Sequence, residues 1–124
     1  MTFTIPLNPI TKKNHSQICK AKDGRPFLIP SKQYAAYEKA VAAYIPNKWE
    51  MIETPVNVKC VYFMQTRRRV DLCNLLGATC DMLTHYGVIK DDNSGIVVSH
   101  DGSRVGYDKE HPRTEVEITE VADG

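Results

Sequence analysis

Hydrophobic and polar positions change period several times along the chain, and each change marks an element. Phe3 and Ile5 alternate with Thr2 and Thr4, which predicts a first strand ended by Pro6. Two short apolar runs, Ile18–Ala21 and Phe27–Ile29, flank Lys22-Asp23-Gly24-Arg25. The Asp-Gly pair favours a tight turn, so this stretch predicts a hairpin, stopped by Pro30. Ser31 is a good N-cap. After it Tyr34, Ala35, Tyr37, Ala40, Val41, Tyr44 and Ile45 recur at three and four, the mark of an amphipathic helix ended by Pro46. Its tyrosines are expected to pack against a sheet rather than to stack on bases. Asn47–Pro55 predicts no definite element.

Val56–Met64 is β-branched and aromatic, with Val56, Val58, Cys60 and Tyr62 on one face, and is the strongest strand pattern in the chain. From Leu72 to Tyr86 the period becomes helical. Leu72, Leu75, Leu76, Thr79, Cys80, Leu83 and Tyr86 form a stripe, while Asn74, Gly77, Ala78, Asp81 and His85 fall on the other side. Asp71 is the expected N-cap and Gly87 the expected stop. Val88-Ile89 is short and apolar. Asp91–Gly95 reads as loop, Ile96-Val97-Val98 begins a strand, and Ser99–Lys109 reads as a polar hairpin excursion. Thr114–Thr119 alternates strictly and predicts a half-buried strand.

A length of 124 residues fits one domain, 1–124. No apolar run approaches the roughly 20 residues of a membrane span, so no membrane partner is expected. The start lacks a signal-peptide pattern, which makes a cytoplasmic location the expectation. The cysteines Cys19, Cys60, Cys73 and Cys80 are then expected to be thiols. The net charge of +1 conceals a polarity: residues 1–70 hold twelve Lys/Arg against four Asp/Glu, and residues 71–124 hold four against eleven. A basic half of this kind suits a polyanionic partner.

The chemistry concentrates where the strongest strand ends. Arg67, Arg68 and Arg69 run into Asp71 at the helix start, and Asp91 and Asp92 follow in the loop beyond the helix. Arginines hold phosphate, and carboxylates hold the hard cation that activates water in phosphodiester cleavage. Lys12 and Lys13 in an early polar loop are further candidates for phosphate contact. Each piece has a plainer reading: Asp71 as a cap, Asp91-Asp92 as a turn, the arginines and lysines as solvated charge. The two acidic sets share a site only if the chain after Gly87 folds back along the helix. Asp101 and His100 are candidate helpers. A zinc or redox site of Cys73, Cys80 and His85 is a weak alternative, because Cys80 and His85 are off the one-face spacing of a helix.

The run Arg68-x-x-Asp71-Leu-x-Asn74-Leu, followed by Asp81-x-Leu83 and Gly87-Val88-Ile89-x-Asp91-Asp92, resembles the RusA family of Holliday junction resolvases, small phage- and prophage-type endonucleases. The resemblance covers most of the chain. It implies an α/β (α+β) fold, a small mixed sheet with two main helices. It also implies a homodimer and Mg²⁺-dependent resolution of four-way DNA junctions by symmetric nicks, with Mn²⁺ as a substitute cation. Carried over by position, Asp71 and Asp92 are the metal-binding and catalytic aspartates, with Asp91 their catalytic neighbour. DNA contact falls to Lys12, Lys13, Arg67, Arg68 and Arg69. Two positions depart: Cys73 stands where the family has a second aspartate, and Gly77 where it often has a lysine. A soft thiol is a poor ligand for Mg²⁺. The alternative is therefore a junction-binding protein of the same fold with little or no cleavage.

Overall fold

The computed structural model describes residues 1–11, 16–20, 22–24, 26–30, 32–46 and 50–121; for 16–20 and 26–30 the description is of backbone alone. Lys12, Lys13 and Ser31 lie outside the described residues.

The strand expected at 56–64 is the axis of the fold. β1 (Thr2–Ile5) leads to a separate antiparallel hairpin of β2 (Ser16–Lys20) and β3 (Pro26–Pro30), turned at Gly24 with φ +86°. α1 (Lys32–Val41) continues into a 3₁₀ turn over Ala42–Tyr44. β4 (Val56–Met64) then runs through the main sheet. α2 (Leu72–His85) carries the chain back, and β5 (Val97–Ser99), β6 (Arg104–Tyr107) and β7 (Arg113–Glu120) complete it. β7 lies between β1 and β4, antiparallel to both. β5 and β6 both pair with the other side of β4, and both run parallel to it. The sheet is therefore mixed, and β4–α2–β5 is a parallel crossover unit.

Period two decides which face is dry. Val56, Val58, Cys60 and Tyr62 of β4, with Thr114, Val116 and Ile118 of β7 and Ile5 of β1, are buried on the inner face. Tyr34, Tyr37 and Val41 of α1 and Leu75, Ala78, Met82 and Leu83 of α2 join the same core. Each fully buried side chain of this size contributes about 1.5–3 kcal/mol. One polar relay crosses it. The Tyr62 hydroxyl lies 2.7 Å from Thr79 Oγ1, and Thr79 Oγ1 donates to the Leu75 carbonyl at 3.0 Å, so Tyr62 is the donor of the first bond. The outer face carries charge: Lys59 pairs with Glu117 at 3.9 Å, and the Arg113 guanidinium stacks 3.9 Å above the Phe63 ring. An antiparallel pair with one dry and one wet face gives this alternation.

Three details differ from expectation. Ala78 is buried, against its assignment to the outer side of α2, and Met82 is buried as well, whereas Leu72, Leu76 and Tyr86 are half-buried. The buried arc of α2 is wide because its residues share one core with β4, α1 and Ile89. Ser99–Lys109 is not a free excursion. A turn at Gly102 (φ +86°) divides two strands that share one side of β4. Where neither strand supplies a backbone partner, Ser103 Oγ accepts from the Cys60 N–H at 3.0 Å. Finally, Ile52, in the stretch without a predicted element, forms a parallel bridge with Ile89.

Candidate functional site

The arginine run sits at the C-terminal end of β4. Arg67, Arg68 and Arg69 are all exposed. The Arg67 guanidinium lies 4.2 Å from the centre of the Tyr107 ring, a cation–π contact that holds it against β6. Arg68 and Arg69 line a cleft of about 440 Å³ with Asn8, Thr11, Gln33 and Thr66. Asn8 Oδ1 accepts from the Gln65 N–H at 2.9 Å and ties the early loop to the arginine loop. Lys12 and Lys13, which follow Thr11 in the sequence, lie outside the described residues.

Asp71 caps α2 as expected: its Oδ1 accepts from the Cys73 N–H at 2.9 Å. Cys73 is exposed, and a Cβ at Gly77 would meet nothing within 4 Å. The two departing positions thus lie one turn apart on an open stretch of helix.

Asp91 and Asp92 stand elsewhere. Asp91 Oδ1 accepts from the Asp92 N–H at 2.8 Å and its Oδ2 from Asn93 Nδ2 at 3.0 Å, which holds its carboxyl below the usual carboxylate range. Asp92 is shifted the other way. Burial raises its pKa first, then the Asp91 carboxylate beside it, with Asp81 adding like charge. Asp92 and Asp81 line one recess with Glu38, Thr84 and His85 near the C-terminal end of α2. His85 Nε2 is 3.9 Å from Glu38 Oε1, and the Tyr86 hydroxyl donates to the Glu38 carbonyl at 2.6 Å, so α1 closes the recess.

The expected meeting of Asp71 with Asp92 is not made within the subunit. α2 runs against β4, as a parallel crossover requires, so its start lies at the C-terminal end of β4 and its end at the N-terminal end. The loop holding Asp92 leads into Ile96, whose carbonyl accepts from Val56 N–H at 2.7 Å, at the first residue of β4. Residues 71 and 81 alone are about 15 Å apart along the helix axis. Among the described residues no group of three or more His, Cys, Asp or Glu is placed to hold a metal ion. Asp81 is the neighbour that the reading of the sequence left without a role. Its signal was there, an acidic residue on the polar side of α2 in the same register as the end of the helix.

His100 and Asp101 have structural tasks. His100 Nδ1 is 2.7 Å from the Val58 carbonyl and Nε2 is 3.9 Å from Cys80 Sγ. The Asp101 N–H donates to Asn57 Oδ1 at 2.7 Å, and its carbonyl accepts from Asn57 Nδ2 at 3.2 Å. Cys80 is buried and its thiol pKa is pushed up to about 12, chiefly by burial. Cys73, Cys80 and His85 therefore do not assemble: Cys73 is exposed seven positions before Cys80, and Cys80 faces His100.

No helix among the described residues is long and apolar enough to cross a membrane. Among curated proteins none matches the chain. The family described as Endodeoxyribonuclease RusA matches residues 6–119. With a mixed sheet, two helices and an arginine run ahead of a capping aspartate, the chain belongs to the RusA endodeoxyribonuclease family.

Proposed function

We propose that the protein is a structure-selective endonuclease that resolves four-way DNA junctions as a homodimer, by paired symmetric nicks that depend on Mg²⁺ or Mn²⁺. Membership of the family carries the reading. The exposed arginine run beside a polar cleft supports DNA contact by Arg67, Arg68 and Arg69, and Lys12 and Lys13 are proposed to add to it. Such contact grips phosphate and leaves base sequence largely unread.

Asp92 and Asp91 are the proposed catalytic carboxylates of the acidic end, with Asp71 at the arginine end. Adjacent oxygen donors with surplus negative charge suit a hard divalent cation, which needs only one or two protein carboxylates beside water and phosphate. Such a cation supplies a lowered water pKa and stabilises the charge on phosphate oxygens. The chain's own part is to hold the exposed Asp92 carboxyl beside Asp91 and Asp81, where crowded negative charge favours an incoming cation.

A second reading has an observation of its own. Cys73 and Gly77 leave the open side of α2 without the carboxylate and the cation that the family places there. Junction binding with little cleavage follows if those groups are required. A nicking assay on a synthetic four-way junction, with and without Mg²⁺, separates the two. Cleavage abolished by Asp92→Asn, with junction affinity retained, is the result expected of the nuclease. Equal, undetectable nicking by the wild type and Asp92→Asn in Mg²⁺ and in Mn²⁺ leaves only the binding reading.

A further inference from the structure

The arginine run divides. Arg68 and Arg69 line the polar cleft, whereas the Arg67 guanidinium lies 4.2 Å from the centre of the Tyr107 ring. Val105 and Tyr107 are two apart on β6 and so share one face, and both are about two-fifths exposed. Their Cα partners on β4 are Tyr62 and Met64. Met64 also lines the cleft, so the cleft and the Tyr107 surface flank one residue. The surface is braced. The Asp108 N–H, directly after Tyr107, donates to the Met64 carbonyl at 2.9 Å. The Asp108 carboxylate accepts from the His111 N–H at 3.0 Å and from Arg113 Nη1 at 2.9 Å, which fixes the turn out of β6.

We infer that Val105, Tyr107 and Arg67 form a stacking surface for one unpaired nucleobase of DNA. An aromatic face takes any base, since every base has a π-face. The guanidinium beside it meets the phosphate of the same nucleotide. Size argues against a protein partner. Two apolar side chains fall far short of the roughly 800 Å² that each partner gives a stable protein interface, whereas a single base is of their size. Inside a duplex the base faces are hidden in the stack, and only an opened or branched stretch offers one. The phosphates met in the cleft line duplexes and junctions alike. Tyr107 is therefore the specificity-determining residue for opened DNA.

The inference deepens the proposed function and rests on it for the branched substrate. The cleft holds the strand by its phosphates, and the adjoining surface takes a base only where the helix has come apart.

The test is run in EDTA, so that nicking plays no part. Fluorescence anisotropy compares binding of the full chain to a short oligothymidylate and to an abasic deoxyribose-phosphate chain of the same length. The wild type is expected to bind the first about tenfold more tightly, the scale of one stacked base. Tyr107→Leu is expected to bring that ratio close to one, and Tyr107→Phe to keep it. A wild type that does not bind oligothymidylate, or a wild-type ratio near one, overturns the inference. So does a ratio that Tyr107→Leu leaves in place with an unchanged circular dichroism spectrum. A second measurement needs no variant. Irradiated with a 5-iodouracil oligonucleotide, the wild type is expected to cross-link in the peptide that contains Tyr107, and cross-links confined to other peptides overturn the inference. A tenfold ratio without nicking of a junction supports the stacking surface and counts only against the proposed cleavage. Nicking with a ratio near one overturns the stacking surface and leaves the cleavage standing.

Discussion

The two ends of α2 carry opposite chemistry. At its start, three exposed arginines precede a capping aspartate whose carboxylate already has a backbone partner. At its end, Asp92, Asp81 and Glu38 crowd one recess, and Asp92 holds its proton more tightly than an ordinary aspartate. In the proposed reading the first end grips phosphate and the second draws the cation. A phosphodiester cannot be held at one and cut at the other within one subunit, since the helix keeps them apart. What joins them must come from across an interface or from the Asp91–Gly95 loop.

The sharpest way to test that division is to supply the missing carboxylate at the arginine end. Cys73→Asp is expected to raise Mg²⁺-dependent nicking by on the order of tenfold or more, the scale on which groups around a metal alter activity. No change, measured as initial nicking rate, would mean that another residue already completes the site. The arginine end is next. Replacing Arg67, Arg68 and Arg69 by alanine is expected to weaken junction binding by about tenfold or more and to flatten the log–log salt slope by about 3, read by fluorescence anisotropy across a salt series. An unchanged slope removes them from the interface.

A smaller effect concerns acidity at the other end. The Asp92 carboxyl keeps its proton to higher pH in the fold than in the unfolded chain. Its protonated form therefore favours the fold below the ordinary aspartate range, and this contribution is gone once pH has risen past the raised value. A cation competes with that proton, so Mg²⁺ or Mn²⁺ binding should strengthen as pH rises through the same window. Asp81→Asn removes a like charge and should move the window to lower pH, read by calorimetric titration with Mn²⁺; an unmoved window denies the coupling. The smallest effect separates cap from ligand. Asp71→Ala is expected to cost about 1 kcal/mol of stability, whereas Asp71→Asn keeps the cap and leaves the melting temperature unchanged. Lost nicking in Asp71→Asn would then belong to chemistry alone.

Elements whose signal is local were legible in the sequence. β4, β7 and the cap and stop of α2 appear where alternation, Asp71 and Gly87 put them. Strand direction is not encoded in a period of two, which is why β6 read as a loose hairpin until its pairing with β4 was seen. The same gap hid the arrangement of the candidate site. Asp71 and Asp92 are linked in the sequence by a short helix and a tight return, and nothing local states that the return runs to the far end of β4. Asp81 went unassigned because its importance lies in what it faces across space, a relation that helical spacing does not reveal.

The relay from Tyr62 through Thr79 to the Leu75 carbonyl has a consequence for how the protein could move. Sliding or rolling α2 across the sheet would strand a buried phenol without an acceptor, a loss of about 1–3 kcal/mol on top of the repacking. The helix is thereby latched in place, and any rearrangement on DNA must be taken up by the segments at its two ends.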